Sequence, residues 1–211
     1  MKVISTNISE EKIIKYRGKN VKTGIFKMPV STGVYLEAED VKGDVVVDRR
    51  YHGGVDKACY LYSLESYTFW KQFYPDLDWT YGMFGENITV LGLDERLLRI
   101  GAQYKIGAAI IEVSQPRQPC FKLGVRFESQ TIIKKFINTH YSGAYVRVLK
   151  SGSVKPEDRL ELILDEPENP TMFEAFKCLY FENLEKSLIN KVLACEKLAK
   201  SCKTDILKRL K

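Results

Sequence analysis

The chain has 211 residues, of which 45% are hydrophobic and 28% charged, ordinary values for a globular protein. This length fits one large domain, or one domain with a small appendage, and needs no disulfide or structural metal to fold. No apolar run approaches the ~18 residues that a membrane helix requires. Because Met1–Glu10 also lacks the apolar stretch of a secretory signal, we expect a cytoplasmic protein that does not enter a membrane.

The cysteines and histidines indicate neither a disulfide framework nor a zinc finger. The chain has five cysteines, an odd number, and none of them forms a Cys-x-x-Cys pair. With only two histidines besides, no zinc-finger spacing can be built. Free thiols in this number indicate a reducing compartment.

Positive charge is concentrated near the end of the chain. Residues 171–211 hold 9 Lys/Arg and 5 Asp/Glu, a net charge of 9 − 5 = +4 out of +6 for the whole chain. A solvated basic face on helices is the simpler interpretation, and a nucleic-acid-binding module is the alternative. The lysines are not interleaved with aromatic residues in a stacking pattern, so we expect no specific nucleic-acid site.

Short β-branched or apolar runs near turns predict strands through the first 165 residues. They cover residues 22–26, 45–47, 58–62, 107–113, 144–149 and 160–164. Apolar residues at helical spacing predict two intervening helices, capped by Ser63 and Ser129. Many short strands without a βαβ rhythm favour a closed or nearly closed barrel.

The composition changes at Asp165–Pro170, where two prolines and three carboxylates make a plausible linker. Beyond it, Thr171–Glu174 fits a capping box, and apolar residues recur at helical spacing without any strand pattern. We therefore predict a β domain over residues 1–165, a linker over 166–170 and a separate domain of three helices over 171–211.

A stiff loop follows the apolar strand predicted over 107–113. Residues 115–122 read Gln-Pro-Arg-Gln-Pro-Cys-Phe-Lys, and the two prolines fix φ and remove two backbone donors. Such a loop presents a side chain at a defined place. Cys120 lies between Arg117 and Lys122, and nearby positive charge favours the thiolate, the form that binds metals. On these residues alone, a buried and inert cysteine remains the alternative.

Residues 48–57 form a charged segment with two adjacent glycines. Gly53 and Gly54 allow backbone N–H groups to approach a ligand closely, which suits an anion such as a phosphate. The flanking cations are Arg49, Arg50 and Lys57. The spacing is not that of a phosphate-binding P-loop, and a solvated turn explains the composition equally well.

Residues 81–89 contain a second glycine turn that leads into a strand-like run. Glu86 and Asn87 follow this turn and offer acceptor oxygens and an amide donor. Turn chemistry alone also accounts for the segment.

Together these segments resemble the YiiM-like branch of the MOSC-domain family. The resemblance rests on residues 51–58, 82–89 and 115–120, with support from 23–27, 143–149 and 152–154. It covers nearly the whole chain, and Pro-Arg-x-Pro-Cys is its specific element. It implies a mainly β fold, with a MOSC-type β-barrel, a few helices and a C-terminal three-helix unit.

The resemblance further implies a molybdenum cofactor, a molybdopterin, with Cys120 as the metal ligand. A soft thiolate suits a metal already held by the sulfur atoms of the pterin. The implied catalytic residues are Cys120, His52 and Glu86. The implied cofactor-binding residues are Arg50, Gly53, Gly54, Lys57, Asn87, Arg117 and Arg147. We predict that residues 49–57, 85–87 and 117–120 converge on one cleft. If the helical tail is peripheral, its deletion should leave the cofactor content largely intact.

Proteins of this branch are associated with reducing N-hydroxylated nucleobases such as 6-hydroxylaminopurine to the amine and water. The resemblance thus implies a small N-hydroxylated base as substrate. The chain has neither an iron–sulfur cysteine spacing nor a flavin fingerprint, so we expect an electron-donor protein as partner. The sequence does not decide whether the protein forms a homodimer. A carrier of the cofactor or of its sulfur, without turnover, is the alternative.

Overall fold

The structure, a computed structural model, describes residues 1–49 and 52–210. Its strands are β1 (Lys2–Ile8), β2 (Lys12–Tyr16), β3 (Lys19–Thr23), β4 (Met28–Pro29), β5 (Val34–Leu36), β6 (Cys59–Ser63), β7 (Ile88–Leu91), β8 (Gln103–Ile106), β9 (Ala109–Pro116), β10 (Ala144–Lys150), β11 (Gly152–Val154) and β12 (Leu160–Leu164). Its α-helices are α1 (Leu64–Lys71), α2 (Phe121–Arg126), α3 (Thr131–Ile137), α4 (Met172–Tyr180), α5 (Lys186–Ala194) and α6 (Lys200–Arg209), and a 3-10 helix covers Val55–Lys57.

One eight-stranded sheet dominates the fold, in the order β12-β8-β9-β10-β6-β7-β1-β4. All its neighbours are antiparallel except β6 and β7, which run parallel. The sheet curls until the start of β1 meets the turn before β12, where Lys2 and Arg159 form an isolated bridge. The described strands do not close into a continuously paired barrel, so the barrel prediction holds only as a mixed fold dominated by a curled sheet.

Four of the predicted strands correspond to β6, β9, β10 and β12. The run 22–26 only overlaps the end of β3, and 45–47 is not a strand. The reason lies in packing: a Cβ at Gly24 would lie 2.0 Å from the carbonyl oxygen of Val45. Two irregular backbone segments therefore pass in direct contact there, a pairing that no local pattern reveals.

The predicted helices all exist, with one shifted start. Ser63 is the N-cap of α1, whereas α3 has Gln130 at that position and not Ser129. The capping box of α4 is confirmed: Glu174 N donates to Thr171 Oγ1 (3.1 Å) and Thr171 N donates to Glu174 Oε2 (2.8 Å). Over residues 1–49 and 52–210, no helix combines the length and the apolar character needed to cross a membrane.

The three C-terminal helices share a core with the sheet. Met172 of α4, Val192 of α5 and Ile206 of α6 are fully buried in the same apolar cluster as Ile111 of β9. The helical tail therefore packs on the sheet, as expected, and its removal would expose the apolar face of the sheet to water. The division into domains at 165 and 171 remains a prediction.

A second core cluster is mostly aromatic and lies beside the first. Tyr62 stacks on Phe84 with ring centroids 4.2 Å apart, and Trp70 Nε1 donates to the Tyr62 hydroxyl (2.9 Å). Tyr60 and Phe136 belong to the same cluster. Rings of this size bury large apolar areas and give the surrounding loops a rigid base.

Glu95 carries a buried carboxyl beneath α4. Gly143 N donates to its Oε1 (2.9 Å), and its Oε2 has no hydrogen-bond partner among the described residues. Burial raises the pKa of this carboxyl from 4.5 to about 8. The unfolded chain therefore loses this proton at lower pH than the folded protein, so stability should fall as the pH rises between those two values.

We predict that Glu95→Gln removes this pH dependence, because the amide keeps the shape and does not ionise. The variant should gain stability over the wild type as the pH rises from 5 to 8.5, by on the order of 4 kcal/mol. Urea unfolding of both proteins at the two pH values measures the difference. If the two proteins differ by the same unfolding free energy at both pH values, the carboxyl of Glu95 ionises normally.

Candidate functional site

A β-bulge and a helix start place Cys120. Tyr145 of β10 pairs with Gln115 of β9, but Val146 pairs with Val113, so Ser114 is the extra residue. Bulges re-aim side chains and end pairing, and here the chain leaves the sheet two residues later. Cys120 is the N-cap of α2, in extended conformation. It is partly exposed, whereas the other four cysteines are buried.

Cys120 lines a cavity that we call the arginine cavity, about 670 Å³ with the open solvent at its mouth included. Its walls come from segments far apart in the chain. The lining residues are Thr23, Gly24, Ile25, Lys27, Asp44, Val45, Val46, Val47, Asp48, His52, Gly53, Lys57, Ala58, Tyr60, Gly85, Asn87, Arg117, Cys120, Lys122 and Tyr145. The predicted convergence of the three motifs on one cleft is therefore confirmed.

Arg117 carries a positive charge into this cavity. The residue is only 5% exposed, and its guanidinium carbon lies 5.4 Å from the ring centroid of Tyr60 and 5.8 Å from that of Phe136. Its Nη1 is buried without a hydrogen-bond partner among the described residues. Leaving a buried charged donor unpaired costs free energy, so the site favours a ligand that brings an acceptor.

Two further buried charges line the cavity, where Lys27 and Asp44 form a close ion pair. Asn87 Nδ2 donates to Asp44 Oδ2 (2.9 Å), and Tyr60 N donates to Asn87 Oδ1 (3.2 Å). The Asn87 amide thus holds Asp44 and the start of β6 together while it faces the cavity. The sequence did not single out Lys27 or Asp44, although Lys27 ends one of the matched segments.

His52 faces the same cavity as a neutral imidazole. Burial, followed by the nearby positive charges of Arg117, Lys122 and Lys57, lowers its pKa to about 4. Burial also lowers the pKa of Lys57. At pH 7 the imidazole can therefore accept or donate a hydrogen bond without adding charge.

Two glycines bring backbone to the cavity wall. Gly53 has φ +76°, and a Cβ there would lie 3.1 Å from a methyl group of Val46. Gly85 has φ +77°, with Ile25 at the same distance. Both positions need glycine for conformation and for space. Gly54 also has a positive φ, but it does not line the cavity.

Glu86 does not line the cavity. It is fully buried, and it accepts hydrogen bonds from the backbone N–H of Gly82 (3.0 Å) and Phe84 (3.1 Å) and from the hydroxyls of Tyr67 and Thr89. Its carboxyl is committed to the turn that presents Gly85 and Asn87. We therefore assign it a positioning role and leave it out of the catalytic set.

Arg147 is likewise placed elsewhere. Its guanidinium donates to Asp56 (2.6 Å), Glu112 (2.8 Å) and the carbonyl oxygen of Lys197 (2.9 Å), which ties β10 to β9 and to the segment between α5 and α6. Arg147 does not line the arginine cavity, so we leave it out of the cofactor-binding set. Arg50 lies outside the described residues.

A second cavity adjoins the first at Cys120. This helix cavity encloses about 860 Å³, open solvent included. It shares with the arginine cavity Asp48, His52, Lys57, Cys120, Lys122 and Tyr145. Its remaining lining residues are Gln115, Gln118, Pro119, Phe121 and Asp205 of α6. Tyr145 lies in a matched segment, but nothing in the sequence connected Asp205 with Cys120.

Protein side chains alone do not build a metal centre here. In the part of the chain that the structure describes, no group of three or more His, Cys, Asp or Glu residues could hold a metal ion. A metal bound by Cys120 would therefore need most of its ligands from another molecule. A cofactor that carries its own sulfur ligands meets that need.

Residues 48–161, more than half of the chain, match the MOSC domain, and the chain belongs to that family. Within it the chain belongs to the YiiM-like branch. It is 30% identical over 189 residues to the protein YiiM of Escherichia coli (strain K12), with 89% of this chain and 84% of that protein covered. The crystal structure of YiiM from Geobacillus stearothermophilus is similar over 100% of this chain and 99% of that chain, with 30% identity and a TM-score of 0.82.

Two further relatives extend the comparison. YflK of Bacillus subtilis (strain 168) is 35% identical over 207 residues, which cover 98% of this chain and 93% of that protein. A protein of Gibberella moniliformis (strain M3125 / FGSC 7600) named "Reductase" is 33% identical over 149 residues. This alignment covers 69% of the chain but only 26% of that much longer protein.

We predict that the imidazole of His52 titrates near pH 4, because burial and neighbouring cations disfavour its charged form. The measurement is the NMR chemical shift of the ring protons against pH, with His140→Gln used to assign the two histidines. Denatured protein should titrate near pH 6.5 instead. A folded-state value at or above 6 would contradict the charge arrangement described for the cavity.

Proposed function

We propose that this protein binds a molybdenum cofactor in the arginine cavity and reduces small N-hydroxylated compounds, with Cys120 as the protein ligand to the metal. The observation that carries the proposal is the position of Cys120. It is the partly exposed cysteine, and it stands where two cavities meet, beside a buried guanidinium with an unpaired nitrogen.

The residues present fit such a cofactor. Arg117, with its unpaired Nη1, suits the phosphate or the pterin oxygens, and Lys57 and Lys122 add positive charge on the same wall. The backbone at Gly53 and Gly85 allows close approach of a large planar group. Asn87 lines the cavity and keeps an acceptor position on Oδ1, which accepts from Tyr60 N alone among the described residues, and the Cys120 sulfur is a soft ligand.

The proposed reaction cleaves an N–O bond. An N-hydroxylated amine takes up two electrons and two protons and gives the amine and water. The cofactor, when bound, supplies the two-electron redox chemistry, and the protein supplies ligation, orientation and a shaped pocket. We propose that a separate electron-donor protein delivers the electrons.

Two side chains at the junction of the cavities suit the proton steps. Burial lowers the pKa of Lys57, which makes its ammonium group a readier proton donor to a leaving hydroxyl. His52, neutral at pH 7, can hold a substrate or water by a hydrogen bond. We therefore assign the acid role to Lys57 and an orienting role to His52.

The family and its relatives support this proposal. The MOSC domain is a molybdenum cofactor sulfurase C-terminal-like domain, and one relative bears the name "Reductase". A carrier that binds the cofactor without turnover is the remaining alternative. Turnover of 6-hydroxylaminopurine with a supplied electron donor distinguishes the two.

We predict that Cys120→Ser folds normally but loses activity, because it replaces a soft ligand by a hard, protonated one. The reductase rate per bound molybdenum should fall at least about 100-fold, since even changes beside a metal ligand often cost that much. Some molybdenum should remain, because the contacts of Arg117 and the glycine backbone are unchanged.

The matched control is Cys195→Ala, which removes a buried thiol that lines neither cavity. Its rate per bound molybdenum should equal that of the wild type. Wild-type turnover in the Cys120 variant would refute the ligand role and favour an inert cysteine.

We predict that Arg117→Met separates stability from cofactor binding. Methionine fills the same space between Tyr60 and Phe136 without a buried, unpaired charge, so the cofactor-free protein should unfold at the same or a higher temperature. Molybdenum content after expression in a cofactor-competent host should drop about tenfold or more, as expected when one charged contact to an anion is lost. Unchanged molybdenum content would remove Arg117 from the cofactor site.

A further inference from the structure

The C-terminal helix α6 forms part of the site. Asp205 is the α6 residue that lines the helix cavity, and its side chain is 40% exposed. Gln118, from the same loop as Cys120, donates through Nε2 to Asp205 Oδ2 (3.0 Å). A carboxylate from the end of the chain thus stands in the same cavity as the cysteine.

Three hydrogen bonds fix α6 against the strand and loop that lead to Cys120. Ala199 N donates to Ser114 O (3.3 Å), and Ser201 Oγ donates to Gln115 Oε1 (3.0 Å). The third is the Gln118–Asp205 bond. Behind them, Cys202 and Ile206 are fully buried. The position of Asp205 is therefore set by packing on one face of the helix and by hydrogen bonds on the other.

The chemistry of this wall is selective. A carboxylate accepts hydrogen bonds and donates none, and its two oxygens offer about four acceptor positions. In the structure, Oδ2 accepts from Gln118, and Oδ1 lies 3.3 Å from Lys208 Nζ. These contacts use two of the roughly four acceptor positions, and the positive charge of Lys57 also interacts with this carboxylate. The other positions suit N–H donors that enter the cavity. Phe121, which stacks on Tyr16 at 4.2 Å between ring centroids, adds an aromatic surface to the same cavity.

We infer that the helix cavity is the substrate subsite, and that Asp205 selects flat, nitrogen-rich heteroaromatic compounds by accepting hydrogen bonds from their exocyclic N–H groups. This inference rests on the proposed function for the nature of the reaction, but not for the binding itself. Asp205 is a specificity-determining residue here, and Phe121 provides the surface against which the ring lies.

The experiment compares two ligands that differ by one donor group. Adenine carries an exocyclic amine, and unsubstituted purine does not. Calorimetric titration of the purified protein with each ligand gives the two Kd values for the wild type and for Asp205→Asn. The asparagine retains an oxygen that can accept from Gln118, so the loop contact survives. Glu196→Gln, an exposed residue outside both cavities, is the matched control for the charge change.

The expected result is a Kd for adenine that rises about tenfold in Asp205→Asn, the usual size for a hydrogen bond to a charged group, while the Kd for purine changes less than about twofold. The Glu196 variant should bind both ligands like the wild type. Equal weakening of both ligands, unchanged adenine binding, or no binding of adenine to the wild type would each overturn the inference.

Kinetics distinguish this inference from the proposed function. With 6-hydroxylaminopurine, Asp205→Asn should raise KM about tenfold at nearly unchanged molybdenum content. A wild type that binds adenine through Asp205 but reduces nothing would defeat the proposed function alone. A wild type that reduces the substrate with a KM that Asp205→Asn does not alter would defeat the inference alone.

Discussion

The buried charge of Arg117 is the constraint around which the site is organised. A guanidinium enclosed by the rings of Tyr60 and Phe136, with one nitrogen unpaired, is costly unless a ligand supplies an acceptor. Both rings belong to the aromatic cluster of the core, and Arg117 is almost completely buried against them. The same charge adds to the effect of burial in keeping His52 neutral, so Arg117 acts both on the affinity of the cavity for anions and on the protonation of its neighbour.

Local features of the sequence predicted those parts of the fold and of the site whose backbone conformation is set by neighbouring residues. The prolines around Cys120, the glycines at 53 and 85 and the capping box at Thr171 each impose a conformation through covalent structure or a short-range hydrogen bond. Such features are visible in a few residues of sequence. The family resemblance then joined the three motifs, and the structure brings them to one cavity.

The features that the sequence did not predict depend on contacts between distant segments. Val45–Val47 has the composition of a strand, yet it packs irregularly against Gly24 and lines the cavity. Glu86 looked available for chemistry, but four donors of its own turn and its neighbours occupy it. Hydrogen-bond saturation of this kind depends on tertiary structure and leaves no mark on local composition.

The contribution of the helical tail to the core and to the site could not be predicted from its composition. Its net positive charge comes from lysines spread along the helices, which suggested a solvated appendage. The buried face of α6 nevertheless completes the core over β9, and hydrogen bonds from Ala199, Ser201 and to Asp205 attach it to Ser114, Gln115 and Gln118. Any change that loosens the packing of Ile206 also moves the wall of the helix cavity. Stability of the tail and geometry at Cys120 are therefore coupled through the same few contacts.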